Sequence, residues 1–209
     1  AQNAGSGSTV YSLGGLTTND MTLGNSPTWA TTGIDFNNTN QYGEITDFID
    51  ASTLTVFHRA TESTLTTDAT LISQYGTATS NRSWWLRHEY SALNNPYELI
   101  RSADGGSTNF ENYEIASASV TTDQCYVAQW VDGGGRSLWL DKTVKSLSLR
   151  SGIPQTARFN STAKIVVNAI IASGTPSVFN DQEVKASAFL TGAVTTLQRE
   201  TITDYINAL

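Results

Sequence analysis

The chain has 209 residues, a net charge of −7, only 15% charged residues and a single cysteine, Cys125. Its few lysines and arginines are scattered, so it lacks the basic track that a nucleic-acid partner requires. One cysteine excludes an intrachain disulfide framework and a cysteine-built zinc site, and no segment is long and apolar enough to cross a membrane. We therefore expect neither a nucleic-acid partner nor membrane insertion.

Short β-rich runs alternate with clusters of Gly, Asn, Asp and Ser, a pattern typical of an all-β sandwich or barrel. The predicted strands, in chain order, are Gly33–Phe36, Tyr42–Ile45, Leu54–Arg59, Ala69–Tyr75, Trp84–Tyr90, Tyr97–Ser102, Tyr113–Ala116, Gln124–Val131, Ser137–Leu140, Lys164–Ile171 and Glu183–Phe189. Turn-forming segments such as ADGGS (103–107) and DGGGR (132–136) separate them, which predicts antiparallel pairing. With no repeat and no linker, we expect one domain over residues 1–209.

The C-terminal segment Thr191–Leu209 changes to a helical period. Its apolar residues fall at the spacing of one helix face, and they are Val194, Leu197, Ile202, Tyr205, Ile206 and Leu209. Thr195 with Gln198 three residues later predicts a capping box. We expect this helix to pack on an edge or face of the sandwich.

The segment Ser83–Tyr90, SWWLRHEY, concentrates chemically informative residues on one strand. Alternation places its side chains on two faces, and we assign the face that includes Leu86 to the core. That face also includes Trp84, His88 and Tyr90, so we expect His88 to be a hydrogen-bonded structural histidine. The outer face presents Trp85, Arg87 and Glu89.

Two interpretations of this outer row remain open. An exposed Trp85 ring between Arg87 and Glu89 suits a sugar, because the ring stacks on pyranose C–H groups while the charged neighbours bond hydroxyls. Alternatively, the row is a solvated sheet face with an Arg–Glu ladder, or Trp85 is covered by the helix or by a partner subunit.

Trp130 and Trp139 flank the DGGGR turn and form a second candidate stacking platform or interface patch. Leu138 and Leu140 belong in the core, so Trp139 should point outward. In the preceding strand, alternation places Val127 and Trp130 on opposite faces, and the pattern leaves open which face is inner.

The order of several segments matches a known β-sandwich pattern. They are GIDFNNTNQYGEI, STLTVFHRAT, LISQYG, WWLRHE, YELIRSADGG, QCYVAQWVDGGGRSLWLDKTV and VFNDQEVKASAFLTGAVTTLQRETITDYI. The strand–DG–strand element at Val127–Asp141 is the best local hallmark, and Leu190-Thr191 followed by Gln198-Arg199 is a second. Over nearly its whole length the chain resembles laminin-G-like, concanavalin-A-like jelly-roll domains.

The resemblance implies a jelly-roll sandwich of two antiparallel sheets packed face to face, one of them curved, to which the helical period adds one C-terminal helix. In lectin-like members the concave outer face of that sheet holds glycans. Such domains occur in secreted lectin-like modules, in polysaccharide-degrading enzymes, and on phage tails, fibres and capsids. The resemblance therefore implies the fold more closely than the function.

The motifs of enzymes on this fold are absent from the sequence. Retaining glucanases use Glu-x-Asp-x-Glu along one strand, but the acidic groupings EITDFID (44–50) and DQE (181–183) do not have that spacing. The histidine segments VFH and LRH lack the Gln-x-His of polysaccharide lyases, and no G-x-S-x-G elbow occurs. We expect a non-catalytic chain with no catalytic residues.

We expect no cofactor, with calcium as the one alternative. Asp181 and Glu183, with Asn180, offer oxygen ligands of the kind that Ca²⁺ accepts, although an ordinary acidic turn is the favoured interpretation. Cys125 lies in the apolar run CYVAQWV and is expected to be a buried structural thiol.

The leading functional hypothesis is a non-catalytic, lectin-like carbohydrate-binding domain, secreted or displayed on a virion, whose partner is a glycan or cell-surface polysaccharide. The alternative is a structural virion module, such as a capsid decoration, spike or tail-fibre domain. Its partners would be further copies of itself or other virion proteins. A polysaccharide-active enzyme with an unfamiliar site is the third hypothesis. The start, AQNAGSGSTV, lacks the charged head and apolar stretch of a signal peptide.

Overall fold

Two β-sheets packed face to face, with a helix on one of them, form the chain in the computed structural model. The structure describes residues 6–13, 19–63, 67–77, 81–90, 96–115 and 122–209. Within these residues the elements are β1 Thr9–Val10, β2 Met21–Gly24, β3 Thr28–Trp29, β4 Ile34–Phe36, β5 Tyr42–Ile45, β6 Leu54–Glu62, β7 Ala69–Gly76, β8 Asn81–His88, β9 Tyr97–Ser102, β10 Phe110–Ile115, β11 Gln124–Trp130, β12 Arg136–Leu140, β13 Thr143–Lys145, β14 Ser148–Gly152, β15 Ile165–Val167, β16 Ile170–Ala172, β17 Thr175–Ser177, β18 Gln182–Thr191 and α1 Thr196–Asn207.

The larger sheet, sheet A, has the order β1-β2-β5-β15-β7-β8-β9-β10-β14, with β16 paired to β7 and β17 to β16. The smaller sheet, sheet B, has the order β13-β12-β11-β6-β18-β4-β3. The described pairings are antiparallel apart from a short parallel contact between β16 and β7. The predicted fold class, a two-sheet antiparallel sandwich with one C-terminal helix, is confirmed.

Tyr42–Ile45 and Tyr97–Ser102 form strands with the predicted bounds, and the other predicted strands differ at their ends. Position 116, the predicted end of one strand, lies outside the described residues. The run Lys164–Ile171 is two strands rather than one, because Asn168 adopts a φ of 70° between β15 and β16. Its side-chain amide donates to the Gln41 carbonyl oxygen at 2.8 Å, which stabilises this left-handed turn.

The main core lies between the sheets and is built from alternate residues of each strand. Trp84 and Leu86 of β8 enter it from sheet A, and Val56 of β6 and Trp130 of β11 enter it from sheet B. The rings of Trp84 and Trp130 pack together with centroids 5.5 Å apart. The assignment of Trp84 and Leu86 to the core face is confirmed.

Helix α1 covers the outer face of sheet B, where a second apolar cluster contains Phe57, Cys125, Val127, Trp139 and Ile206. The predicted capping box between Thr195 and Gln198 is present at its N-terminus.

Only part of the predicted apolar face of α1 is buried: Ile206 is buried and Ile202 packs against the same cluster, as expected. The buried residues are Arg199, Thr203 and Ile206, whereas Leu197 and Tyr205 are 75% and 60% exposed. The reason is tertiary: the Arg199 guanidinium lies 4.5 Å from the centroid of the Trp139 ring, and this contact sets the rotation of the helix on the sheet.

A polar cluster links the two sheets inside the sandwich. The Glu62 carboxylate of β6 is buried and accepts hydrogen bonds from the hydroxyls of Tyr97 at 2.7 Å and Tyr126 at 2.6 Å. Asn180 donates to its second oxygen at 3.1 Å, and His88 Nδ1 lies 3.3 Å from that oxygen. His88 is thus a buried, hydrogen-bonded histidine, as expected.

Candidate functional site

Trp85 lies on the outer face of sheet A, on the opposite side of β8 from Trp84, as alternation predicts. Its indole Nε1 donates a hydrogen bond to Thr70 Oγ1 at 3.1 Å. The Arg87 guanidinium lies 4.6 Å from the centroid of its ring, and the Tyr75 ring centroid lies 5.2 Å away. The row thus consists of a tryptophan packed between a tyrosine and an arginine.

Of the two interpretations of this row, the one with an exposed Trp85 ring is wrong, because only 7% of the residue is accessible. It packs in a small cluster with Ile100 of β9 and Ile170 of β16, and Val178 lies against this cluster. The cover comes from neither the helix nor a partner but from a distant part of the same chain. Trp85 therefore supports the polar side chains around it and offers no open stacking surface.

The polar side chains beside Trp85 form a connected cluster on this face, which we call the outer-face cluster. Its members are Arg87, Glu89, Glu98, Asn112, Glu114 and Arg150. The Arg150 guanidinium is its most exposed member, with 33% of the side chain accessible, and Glu114 follows with 30%. Arg150 Nη1 lies 2.6 Å from Glu98 Oε1 and 3.4 Å from Glu114 Oε2, and Arg150 also pairs with Glu89. Hydrogen bonding to Glu89 raises the pKa of Arg150.

Glu98 is the buried centre of the outer-face cluster. Its side chain is fully covered, and it accepts hydrogen bonds from Arg87 Nε, from Arg150 Nη1 and, at 2.9 Å, from Asn112 Nδ2. Asn112 is itself 96% buried, and its Oδ1 has no hydrogen-bond partner within the described part of the chain. Glu98 thus holds the guanidinium groups of Arg87 and Arg150 in place. The Asn112 Oδ1 atom is left as a buried acceptor without a partner in the described residues.

The structure brings Arg87 and Glu89 together with four residues that sequence reasoning missed: Glu98, Asn112, Glu114 and Arg150. A signal for Glu98 was present, since β8 and β9 are consecutive antiparallel strands and Arg87 pairs in register with Glu98. No comparable signal existed for Arg150, because β14 joins β10 at the far edge of the sheet after the chain has passed through sheet B.

The predicted platform of Trp130 and Trp139 needs correction. Trp130 lies on the inner face of β11 and is completely buried against Trp84. Trp139 points outward as predicted, but α1 covers it and leaves 9% accessible. Neither ring presents a face to solvent, because Trp130 is buried in the main core and α1 covers Trp139.

The calcium candidates Asp181 and Glu183 lie near the β4–β18 pairing of sheet B, where Glu183 is in register with Asp35. Burial, then the charges of Glu183 and Asp181, raise the pKa of Asp35. No group of three or more His, Cys, Asp and Glu side chains in the described residues is arranged to hold a metal ion. A calcium site here stays a prediction.

Cys125 is buried beneath α1, as expected, and burial raises the pKa of its thiol to about 12. A thiol with so high a pKa is protonated at neutral pH and unreactive. Among the described residues, α1 is too short and too polar to cross a lipid bilayer.

Comparison with known proteins finds no matching family model and no matching curated protein. Among solved structures, the chain is similar to a CBM40 module of the Ruminococcus gnavus IT-sialidase bound to α2,3 sialyllactose. The identity is 8%, the TM-score 0.56, and 73% of this chain and 83% of that one are covered.

Two further structures give similar values. Domain 4 of a GH43 extracellular arabinanase from Geobacillus stearothermophilus, in complex with arabinotriose, is 14% identical with a TM-score of 0.58, covering 88% and 87% of the two chains. A heptameric SAP-like pentraxin from Limulus polyphemus is 13% identical with a TM-score of 0.57, covering 78% and 74%. These likenesses place the fold among concanavalin A-like jelly-roll sandwiches.

Proposed function

We propose that this chain is a non-catalytic carbohydrate-binding domain whose glycan contacts lie on the outer face of sheet A. The observation that supports the proposal most directly is the outer-face cluster, in which guanidinium, carboxylate and amide groups are held in fixed positions. The opposite outer face, that of sheet B, is occupied by α1. Sheet A is thus the face on which polar groups are both organised and accessible.

The chemistry of the outer-face cluster suits sugar hydroxyls. A hydroxyl both donates and accepts, and Arg150 with Glu114 supplies a donor and an acceptor 3.4 Å apart at the accessible edge. Glu98 and Trp85 beneath them hold these groups in place before a ligand arrives, which lowers the entropy cost of binding. Two of the similar structures were determined with saccharides, sialyllactose and arabinotriose, which is consistent with this use of the fold.

Charge favours a neutral glycan over an acidic one at this site. The two guanidinium groups, Arg87 and Arg150, face the carboxylates of Asp68, Glu89, Glu98 and Glu114. Every arginine charge is matched and negative charge is in excess, so an incoming carboxylate would be repelled. We therefore propose neutral oligosaccharides as the ligand class.

The arrangement of carboxylates supports a binding role rather than catalysis. Glu89 and Glu98 both contact Arg150 Nη1 and so come close to one another, as a retaining glycosidase pair must. Glu98 is fully buried, however, and both carboxylates are paired with guanidinium groups. Neither is placed to donate a proton to a glycosidic oxygen.

A glycan-array screen tests the proposal, with neutral and acidic oligosaccharides presented to the wild type and to Arg150→Ala. We expect wild-type binding to neutral glycans and at least a tenfold loss in Arg150→Ala. The matched control is Lys142→Ala, which removes an exposed ion pair with Asp204 on the helix side. Trp85→Ala should also lose binding, and its thermal midpoint must be measured because it removes a buried ring.

Binding that Arg150→Ala retains in full would overturn the assignment of the site to the outer-face cluster. No binding by any variant would overturn the carbohydrate-binding proposal. Release of reducing sugar from a bound oligosaccharide would overturn the non-catalytic part of it.

A protein-contact role, as in a structural virion module, is the second candidate. It is favoured by exposed apolar residues at the C-terminus: Leu197 and Tyr205 on α1, and Leu209 just beyond it. Light scattering of the wild type and of Leu197→Glu tests it, because an oligomer that dissociates in the variant would support it and a wild-type monomer would contradict it. The location, virion surface or extracellular, stays a prediction.

A further inference from the structure

A cleft of about 410 Å³ opens at the edge of the sandwich, and none of its lining residues belongs to the outer-face cluster. Its volume lies within the range of small-molecule sites. It lies where the chain crosses from β13 of sheet B to β14 of sheet A. Its lining consists of Tyr113 of β10, Gly134 and Gly135, Arg136 and Ser137 of β12, Lys145 of β13, and Leu147. We call it the edge cleft.

Two cations line the edge cleft. The Arg136 guanidinium lies 4.2 Å from the centroid of the Tyr113 ring, which fixes its plane, and also donates to the Gly134 carbonyl oxygen. Lys145 forms no ion pair with any described residue. The ammonium group therefore adds a positive charge that no described carboxylate neutralises.

The carboxylate nearest to Arg136 is already shared. Glu111 Oε1 lies 3.3 Å from Arg136 Nε and 2.8 Å from Nη2 of the buried Arg101. Its other oxygen accepts a hydrogen bond from the Gln155 backbone amide at 2.7 Å. One buried carboxylate thus faces two guanidinium groups, and Arg136 keeps unneutralised positive charge toward the cleft.

The remaining walls are suited to a sugar ring. Leu147 packs against the main core and presents an apolar surface, and Ser137 adds a hydroxyl. Asp132, in the loop before β12, is exposed and forms no ion pair with either cation in the described structure. The local charge of the edge cleft is therefore positive, whereas that of the outer-face cluster is negative because its carboxylates outnumber its guanidinium groups.

We propose that the edge cleft is a second saccharide site, separate from the outer-face cluster, that binds the carboxylate or sulfate of an acidic sugar through Lys145 and Arg136. The charged group contacts the ammonium and guanidinium, and the ring lies against Leu147. Because the chain as a whole carries −7, this local positive charge selects acidic groups only at short range, and salt weakens the contact.

Calorimetric titration with glucose 6-sulfate, glucuronate and glucose tests the proposal. We expect the two acidic sugars to bind the wild type at least tenfold more tightly than glucose, and binding to weaken as sodium chloride is raised. Lys145→Glu should reduce acidic-sugar binding at least tenfold. Lys142→Ala, which removes a lysine three positions earlier in the chain that pairs with Asp204 on the helix side, is the matched control and should not change it.

Equal affinity for glucose and glucose 6-sulfate, or unchanged binding in Lys145→Glu, would overturn the proposal. Inorganic sulfate that binds as tightly as glucose 6-sulfate would show an anion site without sugar recognition and overturn the saccharide assignment.

Arg150→Ala separates this proposal from the outer-face one. It should lose neutral-glycan binding and keep acidic-sugar binding, and Lys145→Glu should do the opposite. Loss of both ligands in Arg150→Ala, in a folded protein, would mean a single site and overturn the edge cleft.

Discussion

Arg87 and Glu98 face each other in register on the antiparallel strands β8 and β9, and Arg87 Nε donates a hydrogen bond to Glu98 Oε2. Because Glu98 is fully buried, this pair lies beneath the accessible surface and holds the Arg87 guanidinium over the Trp85 ring. Arg150 joins the same carboxylate from β14. The accessible polar groups of sheet A therefore depend on one buried charge.

Glu98→Ala is expected to lower the free energy of unfolding by about 3 kcal/mol, because it leaves two guanidinium groups without their shared buried partner. Urea denaturation at neutral pH measures the loss. Glu114→Ala is the control, since that carboxylate is partly exposed and its pair with Arg150 contributes less than about 1 kcal/mol. Equal losses in the two variants would contradict the central role of Glu98.

Tyr126→Phe should cost about 2 kcal/mol, because its hydroxyl bonds a buried carboxylate. Burial alone would raise the pKa of Glu62, but hydrogen bonding with His88, the charge of His88 and the hydrogen bonds from Tyr126 and Tyr97 outweigh it and lower that pKa. The stabilisation is therefore present above the pKa that Glu62 has in the unfolded chain. It is lost as the pH falls through the lower pKa that Glu62 has in the folded protein. The deficit of Tyr126→Phe should shrink in acid.

Urea denaturation of Tyr126→Phe at neutral and acidic pH checks this expectation. Tyr205→Phe, at a site 60% exposed on α1, is the control and should leave stability unchanged. A deficit that stays constant with pH would contradict the link to Glu62.

His58 should make the protein less stable in mild acid. Burial lowers its pKa to about 4, from an ordinary value of 6.5, despite a hydrogen bond with Gln182 and the charge of Glu62. Above pH 6.5, His58 is neutral in both the folded and the unfolded protein. As the pH falls from 6.5 to 4, only the unfolded state takes the proton, which destabilises the fold by up to about 3 kcal/mol.

His58→Gln removes that proton uptake, so its stability should fall less steeply than that of the wild type over the same pH range. Urea denaturation of both proteins at several pH values measures the two slopes, which are compared even if the variant is less stable throughout. Parallel slopes would show that His58 does not titrate in this way.

Asp35→Asn should stabilise the protein at neutral pH. Burial and the charges of Glu183 and Asp181 raise the pKa of Asp35, so its ionised form is unfavourable in the folded state. This penalty is complete well above the folded pKa and disappears as the pH falls below the ordinary value of 3.8. The gain in thermal midpoint should therefore vanish in acid, whereas Glu200→Gln on α1 should show no comparable gain.

Much of the local structure follows from the sequence alone. Alternation along SWWLRHEY places Trp84 and Trp85 on opposite faces, since successive side chains of a strand point to opposite sides. The capping box of Thr195 and Gln198 is also predictable, because it involves residues three apart. The period of two along most of the chain predicted an all-β sandwich or barrel, and the resemblance to jelly-roll domains favoured the sandwich.

Tertiary structure alone decided which of these faces is accessible. Trp85 is outward but buried, because Ile170 and neighbouring residues fold back over it. The helix buries Arg199 rather than Leu197, because the Arg199 guanidinium packs against the Trp139 ring beneath the helix.

Arg150 donates a hydrogen bond to Glu98 from β14, the strand that pairs with β10 at the edge of sheet A. A period of two determines on which side of its own strand a residue lies. Which strand becomes the neighbour, and which segment covers that side, depend on contacts between residues far apart in the chain, and these positioned the outer-face cluster.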